Sequence, residues 1–368
     1  MSLRIAGLGW VTPLGRGIDS VWNRLLRGDE AVTQSISDSV SDKTYPALRV
    51  PNETLKDLPP HPRLRRASAI SRFAAAAGLD ALAHARLTIG EIDMTRIALV
   101  FAVSNGGVIY TKRFYQDVVA SGAQGASPLL FPETVFNAPA SHLAAILGIA
   151  GASYTLVGDG AVGVLAVKMA ADLLEDETLD ACLVVGAEEA DWLLCDAYHK
   201  WRLLKKTPPV ELFHDPPLGM ILSEGAGAVL LGRQGTVRID AIDAGGNFSR
   251  RAQANQIVRQ ILQRVARNGA CVVASANGTF VDLAELAAIE NELPQAVAYS
   301  PMSALGESVG ASAMWQTIVA AEALQTKNLP PQPRAGRNTR ADTKVSCNEA
   351  IVLSCGLNQQ AAGLRLSI

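Results

Sequence analysis

Apolar and polar positions in this chain repeat with two periods, and the two periods alternate. Leu3 to Val11 and Arg96 to Val103 are nearly continuous apolar runs of the kind a buried strand shows, while Ile18 to Leu26 and the Ala-rich stretch Ser68 to Ala85 have helical spacing. Further strands are predicted around Ala181 to Gly186 and at Gly225 to Leu231. The pattern restarts after Thr236: strand Val237 to Ala244, helix Ala252 to Ala266, strand Ala270 to Ser275, helix Leu283 to Glu290, helix Ser303 to Leu324, then strands near Ala350 to Ser354 and Ala362 to Leu366. Such alternation predicts an α/β fold whose sheet is covered on both faces, in two comparable halves joined near Gln234, residues 1–234 and 235–368. Ser35 to Leu58 and Asn328 to Thr343 interrupt both periods with polar residues and prolines and read as surface excursions.

Between the predicted strands lies a run of unusual composition, from Gly151 through Ala152, Ser153, Tyr154, Thr155, Leu156, Val157, Gly158, Asp159, Gly160 and Ala161 to Val167. It reads as a short strand, a tight elbow of small residues and an apolar helix. In acyl-transfer enzymes such an elbow presents a Cys or Ser at a helix N-terminus, where free N–H groups and the helix dipole stabilise a thiolate or oxyanion. Gly160 has no side chain to attack with, and a Gly-rich turn also serves many α/β proteins for backbone reasons alone. Asp159 is open to two uses, nucleophile or base on one hand and cap of the following helix on the other.

Composition narrows the function classes. With 368 residues and 49% hydrophobic content the chain can bury a large core, and a net charge of −2 gives no general attraction to nucleic acid or to an anionic membrane. The five cysteines, Cys182, Cys195, Cys271, Cys347 and Cys355, are widely spaced and form no metal-ligand motif, so a reducing cytoplasm, no metal and no cofactor are expected. The first residues show no basic segment followed by an apolar one, and no stretch reaches the roughly 18 apolar residues of a membrane span.

Several separated segments together resemble the β-ketoacyl-[acyl carrier protein] synthases. Gly7 to Gly15 (sequence GLGWVTPLG) is similar to their opening strand and turn, Trp22 to Gly28 to the helix that follows, and Ser127 to Pro132 with Asn137, His142, Leu143 and Gly148 to Gly151 to the approach to the nucleophile. Ser223 to Leu231 resembles the close of the first half. The resemblance implies a thiolase-like five-layer α/β/α/β/α fold and a dimer whose two-fold axis lies beside the elbow strand.

Carried over residue by residue, the resemblance places the family's nucleophilic Cys at Gly160, its first His at Asn277, its Lys at Met302 and its second His at Glu307. The five histidines are His61, His84, His142, His199 and His214, so no shift of register puts one into the second half. The family's mobile Gly-rich loop falls on Gly356 to Ala361, preceded by Cys355. Cys355 reads either as a displaced thiol or, lacking a His or a basic neighbour, as a buried structural Cys. Asn277 and Glu307 read either as ligands for something polar or as partners that satisfy one another or the backbone.

The same resemblance suggests other roles. Arg63, Arg65 and Arg66 fall where related synthases dock the acidic carrier protein, although a basic run is also an ordinary solvated face; Arg202, Lys205 and Lys206 share the ambiguity. Tyr110, Phe114 and Phe136 fall in a region that lines a partner's acyl tunnel, where bulk would limit chain length, and each is equally suited to plain packing. A family scaffold without its reactive groups resembles the chain-length-factor subunits that pair with an active ketosynthase. Gly160 departs from the Gln that many aromatic-polyketide factors carry, which points toward the aryl polyene or fatty-acid-like branch. The implied partners are an active ketosynthase, as a heterodimer, and an acyl carrier protein. The alternatives are an acyl-transfer or hydrolytic enzyme with relocated groups at Asp159, Cys355 or Glu307, or a homodimeric acyl-chain-binding protein.

Overall fold

A computed structural model describes residues 2–38, 41–65, 67–267, 270–332 and 348–368. In the first half the strands are β1 (Leu3–Thr12), β2 (Gly15–Arg16), β3 (Thr33–Asp38), β4 (Ser41–Leu48), β5 (Ile97–Val103), β6 (Ser153–Val157), β7 (Ala181–Glu188), β8 (Leu222–Ser223) and β9 (Gly225–Gly232). The helices between them are α1 (Ile18–Leu26), α2 (Ala69–His84), α3 (Val108–Ser121), α4 (Ala138–Leu147), α5 (Val162–Leu173) and α6 (Trp192–Lys200). The second half carries β10 (Val237–Asn247), α7 (Ala254–Val265), β11 (Cys271–Val273), α8 (Phe280–Glu292), β12 (Ala298–Tyr299), α9 (Met302–Leu305), α10 (Ser312–Thr326), β13 (Glu349–Cys355) and β14 (Gln360–Ser367).

The main sheet runs β12-β11-β13-β14-β10-β1-β9-β7-β5-β6. Its two limbs, one per half, meet where Leu3 to Ile5 pair antiparallel with Val237 to Ile239. Helices α5 and α10 touch both limbs and each other, α2 and α4 cover the outer face of the first limb, and α7 and α8 cover the second. The order across the molecule is therefore helix, sheet, helix, sheet, helix, a thiolase-like five-layer fold. The boundary between residues 234 and 235 falls in the connection from β9 to β10.

Double coverage explains the sequence pattern. Strands β5, β7 and β9 are buried along their whole length, so they read as unbroken apolar runs instead of alternating ones. The Ala-rich helix α2 is a consequence of closeness: Ala74 to Ala77 are fully buried against β1 and β9. A Cβ on Gly9 of β1 would lie 2.2 Å from the Ala77 carbonyl oxygen and 2.7 Å from the Ala81 nitrogen.

Two expectations from the sequence need correction. The single helix over Ser303 to Leu324 is instead two, because Gly306 adopts φ 74° and the next residues leave the helical path. The Glu307 N–H donates to Ile221 O and its carbonyl accepts from Ser223, so a neighbouring chain segment captures the backbone groups that a helix would have used. Ser35 to Leu58 is also more than a surface excursion. Strands β3 and β4 form a hairpin that pairs with β8, and Tyr45, Ala47 and Leu48 are buried. Of the other excursion only its first residues, to 332, are described.

Gly9→Ala should cost about 3 kcal/mol of stability, since the two nearest atoms in its way are backbone and cannot rotate aside. The check is a lowered urea midpoint at unchanged slope; an unchanged midpoint would show that the α2–β1 approach is not tight.

Candidate functional site

The elbow follows β6, whose only strand partner among the described residues is β5, and it leads into α5 at Val162. Asp159 does not cap that helix: the N-cap position is Ala161, with no side-chain bond to the first turn. The carboxylate turns the other way. Its Oδ1 accepts the Gly160 N–H at 2.8 Å, and its Oδ2 accepts the N–H groups of Asn358 at 2.6 Å and Gln359 at 3.4 Å. Those two amides belong to the tight connection of the β13–β14 hairpin, some 200 residues along the chain. Gly356 makes room for the carboxylate, because a Cβ there would sit 2.1 Å from Asp159 Oδ2. A second link closes the same contact, with Ser354 Oγ–H donating to the Gly160 carbonyl at 2.8 Å. A Cβ at position 160 would lie 3.3 Å from Gly356 Cα, so even a small side chain at the elbow presses on the hairpin.

The second-half residues form a closed polar cluster. Asn277 Nδ2 donates to Glu307 Oε2 at 2.7 Å, while Glu307 Oε1 accepts the Ser312 hydroxyl at 2.6 Å and the Val309 N–H at 2.7 Å. The Asn277 side-chain oxygen accepts from the Thr279 hydroxyl and N–H. Asn277 and Glu307 thus satisfy one another and nearby groups. Burial still pushes the Glu307 carboxyl above its ordinary value, against the pull of these bonds. Val309 is held at φ 48°, a costly conformation for a β-branched residue, by the bond from its N–H to Glu307. Met302 is fully buried and lies in the main core cluster.

Two acids that the sequence reading passed over support this cluster. Asp282 accepts the N–H groups of Asn277, Gly278 and Phe213, which fixes the turn carrying Asn277, and burial raises it to about 6. Glu285, one turn further along α8, is pushed up to about 8 by burial, with the Ser275 hydroxyl bond at 2.6 Å as the main opposing effect. Ser275 also receives the Cys355 N–H at 2.7 Å. Cys355 is buried, and its thiol is pushed well above the ordinary range by burial and then by Glu285 and Asp159. The signal for Asp282 was present in the sequence as a Thr-x-x-Asp step at a helix start; Glu285 gave none, since an acid among alanines reads as a solvent-facing position.

The family model "Beta-ketoacyl synthase, N-terminal domain" matches residues 2–236. The chain belongs to the β-ketoacyl synthase family. A 3-oxoacyl-[acyl-carrier-protein] synthase 2 of Vibrio cholerae serotype O1 is 24% identical over 187 residues, which span 50% of this chain and 45% of that protein. Two solved structures share the fold over 100% of this chain and 98% of theirs. They are the ishigamide ketosynthase/chain length factor, with TM-score 0.85 and 18% identity, and a ketosynthase (ApeO) in complex with its chain length factor (ApeC) from Xenorhabdus doucetiae, with TM-score 0.84 and 18% identity.

Within this β-ketoacyl synthase scaffold the remaining candidates are scattered. Arg65 and Tyr110 line one cavity of about 880 Å³ with Arg49, Lys56, His61 and Arg72. Arg63 is exposed beside it on a short 3-10 turn, and Arg66 lies outside the described residues. Phe114 stacks on Phe131 with centroids 5.6 Å apart, and Phe136 is half exposed with its ring over Gly106. Tyr110 faces that cavity, Phe114 meets Phe131 and Phe136 covers Gly106, with Tyr110 and Phe114 one turn apart on α3. Lys205 is tied to Glu211 and to the Pro209 carbonyl, which leaves Arg202 and Lys206 as the exposed members of the second basic group. Among the described residues no group of three or more His, Cys, Asp or Glu is placed to hold a metal ion, and no helix is long and apolar enough to cross a membrane.

The buried acid Glu285 gives a pH test. A carboxyl raised in the folded state keeps its proton longer than in the unfolded chain, so its contribution is complete below the ordinary Glu range and is lost as pH rises toward about 8. Glu285→Gln, a permanent stand-in for the protonated form, should leave Tm nearly unchanged at pH 5 and raise it relative to the parent at pH 8. Parallel Tm–pH curves for the two proteins would contradict the assignment.

Proposed function

We propose that this chain is a non-catalytic ketosynthase-like subunit, a chain length factor, that pairs with an active β-ketoacyl synthase in the cytoplasm and shapes its acyl tunnel in polyketide, aryl polyene or fatty-acid-like biosynthesis. The observation that carries this reading is the second half. It contains no histidine, and the positions that the resemblance assigns to both histidines hold Asn277 and Glu307 bonded to each other. Decarboxylative condensation needs groups that donate to a developing enolate oxygen. A buried carboxylate at that place repels the charge the reaction builds.

The surface supports the pairing. The outer edge of β6 is open, with Tyr154 and Val157 exposed, and an uncovered apolar strand edge is a liability that proteins manage by covering it. Tyr115 and Val119 on α3, and Leu129, Phe131, Val135 and Phe136 after it, are exposed as well; the short turn that carries Phe131 packs on α3 and α4, and α4 packs on β6. The partner supplies the reactive Cys, both histidines and the Lys; this chain supplies half of the interface and, through Phe114 and Phe136, bulk near the shared boundary. Arg63 and Arg65 give the acyl carrier protein a basic surface.

Co-expression with a ketosynthase holding an intact Cys-His-His set should give a stable heterodimer, and Phe136→Ala in it should lengthen the products. A stable homodimer that ignores every such partner would overturn the reading in favour of an acyl-chain-binding protein. Gly160→Cys alone should give no condensation with acyl and malonyl carrier proteins, because Asn277, Met302 and Glu307 remain. Turnover by that single variant would mean that the second half holds working catalytic groups.

A further inference from the structure

The elbow holds an anion of its own. We propose that Asp159 is a built-in ligand of a backbone-amide anion site, and that by filling the site it closes this elbow to the oxygen of an incoming thioester or carboxylate. The inference stands on the geometry of the elbow and is independent of whether the chain pairs with a catalytic partner.

Three backbone N–H groups converge on one carboxylate: Gly160 at the start of the α5 turn, and Asn358 and Gln359 at the tip of the β13–β14 hairpin. They arrive from separate segments, so no local turn accounts for the convergence. Amides gathered in this way bind anions and stabilise an oxygen that gains negative charge during acyl transfer. Asp159 engages all three. It therefore removes the donors that a thioester oxygen would need and places a like charge where that oxygen would sit. Gly356 is the complementary feature: any side chain there would collide with the carboxylate, and the glycine lets the hairpin close onto Asp159.

The alternative is that Asp159 serves only to fasten the hairpin. The two differ in what they do to a thiol placed at the elbow. Freed amides and a helix N-terminus favour thiolate, whereas a carboxylate on the same amides opposes it. The variants Gly160→Cys, Asp159→Asn/Gly160→Cys and Asp159→Ala/Gly160→Cys are compared in the full-length protein with iodoacetamide. The thiolate introduced by Gly160→Cys displaces iodide to form a thioether, its proton having gone to solvent. The peptide that carries the substitution is followed by mass spectrometry, which separates the introduced thiol from the native cysteines.

The expected result is that the introduced thiol reacts about tenfold faster at neutral pH in the double variants than in Gly160→Cys alone, with the midpoint of the rate–pH curve lower by about one unit. A short-chain acyl thioester should likewise acylate that thiol in the double variants and not in the single one. Equal rates and equal midpoints in all three proteins would overturn the proposal, and so would a double variant whose thiol gains reactivity toward iodoacetamide but not toward the acyl thioester, which is what loss of a neighbouring charge alone predicts. Should Asp159→Ala lower Tm so far that the protein unfolds, the Asn variant alone decides. Failure of the chain to pair with a ketosynthase would move none of these readings, so the two proposals fail separately.

Discussion

Two helices buried between two sheets set the terms for everything else in this molecule. Along α10 every residue from Ser312 to Leu324 is buried, and α5 approaches it so closely that a Cβ on Gly163 would lie 2.7 Å from the Ala313 Cβ. A layer this tight admits few rearrangements, because interiors packed to crystal-like density resist changes of even a methylene. Both central helices begin at the candidate site. The elbow of Asp159 and Gly160 leads into α5, and Glu307 to Val309 lead into α10, so the core that holds the fold together also fixes the site's backbone.

That arrangement fixes the backbone of the site independently of the side chains it carries. Helix N-termini and turn amides present free N–H groups, which need acceptors whether or not a reaction occurs. At the start of α10 the acceptor is Glu307, which takes the Val309 N–H and the Ser312 hydroxyl; at the elbow it is Asp159. Carboxylates thus stand at two points around which transition-state charge would gather in an acyl-transfer site. Their proximity is felt electrostatically, since the charge of Asp159 is among the influences that raise Glu307 and Cys355. Asn277 and Glu307 are held by one another and by nearby hydroxyl and N–H groups, whereas the buried Glu285 Oε2 and Ser308 Oγ have no hydrogen-bond partner among the described residues.

Periodicity located most elements, because fully covered strands and amphipathic helices advertise themselves in apolar spacing. It failed where long-range bonds outweighed local preference. The segment after Leu305 has helix-forming composition, yet pairing of Glu307 with Ile221 and Ser223 interrupts it. Tyr45 and Leu48 sit in a polar stretch; Leu48 is buried where β4 pairs with β8, and Tyr45 where it packs on Trp192 and His199 of α6 and donates its hydroxyl to Asp196. Asp159 was expected at the helix start, a sound choice for an acid before a helix. The hairpin some 200 residues later offered two amides in place of one, and no local rule could have shown that.

The residue order alone was enough for the α/β class, the glycine at the elbow and the lack of any histidine beyond His214, since each follows from composition, spacing or count. Three-dimensional folding was needed to bring Asn277 to Glu307 and Asp159 to the Asn358 and Gln359 amides. The reason is physical. Spacing along a chain reports which face of an element is apolar, whereas hydrogen-bond partners and cavity walls are chosen by which distant segments the packed core carries into reach.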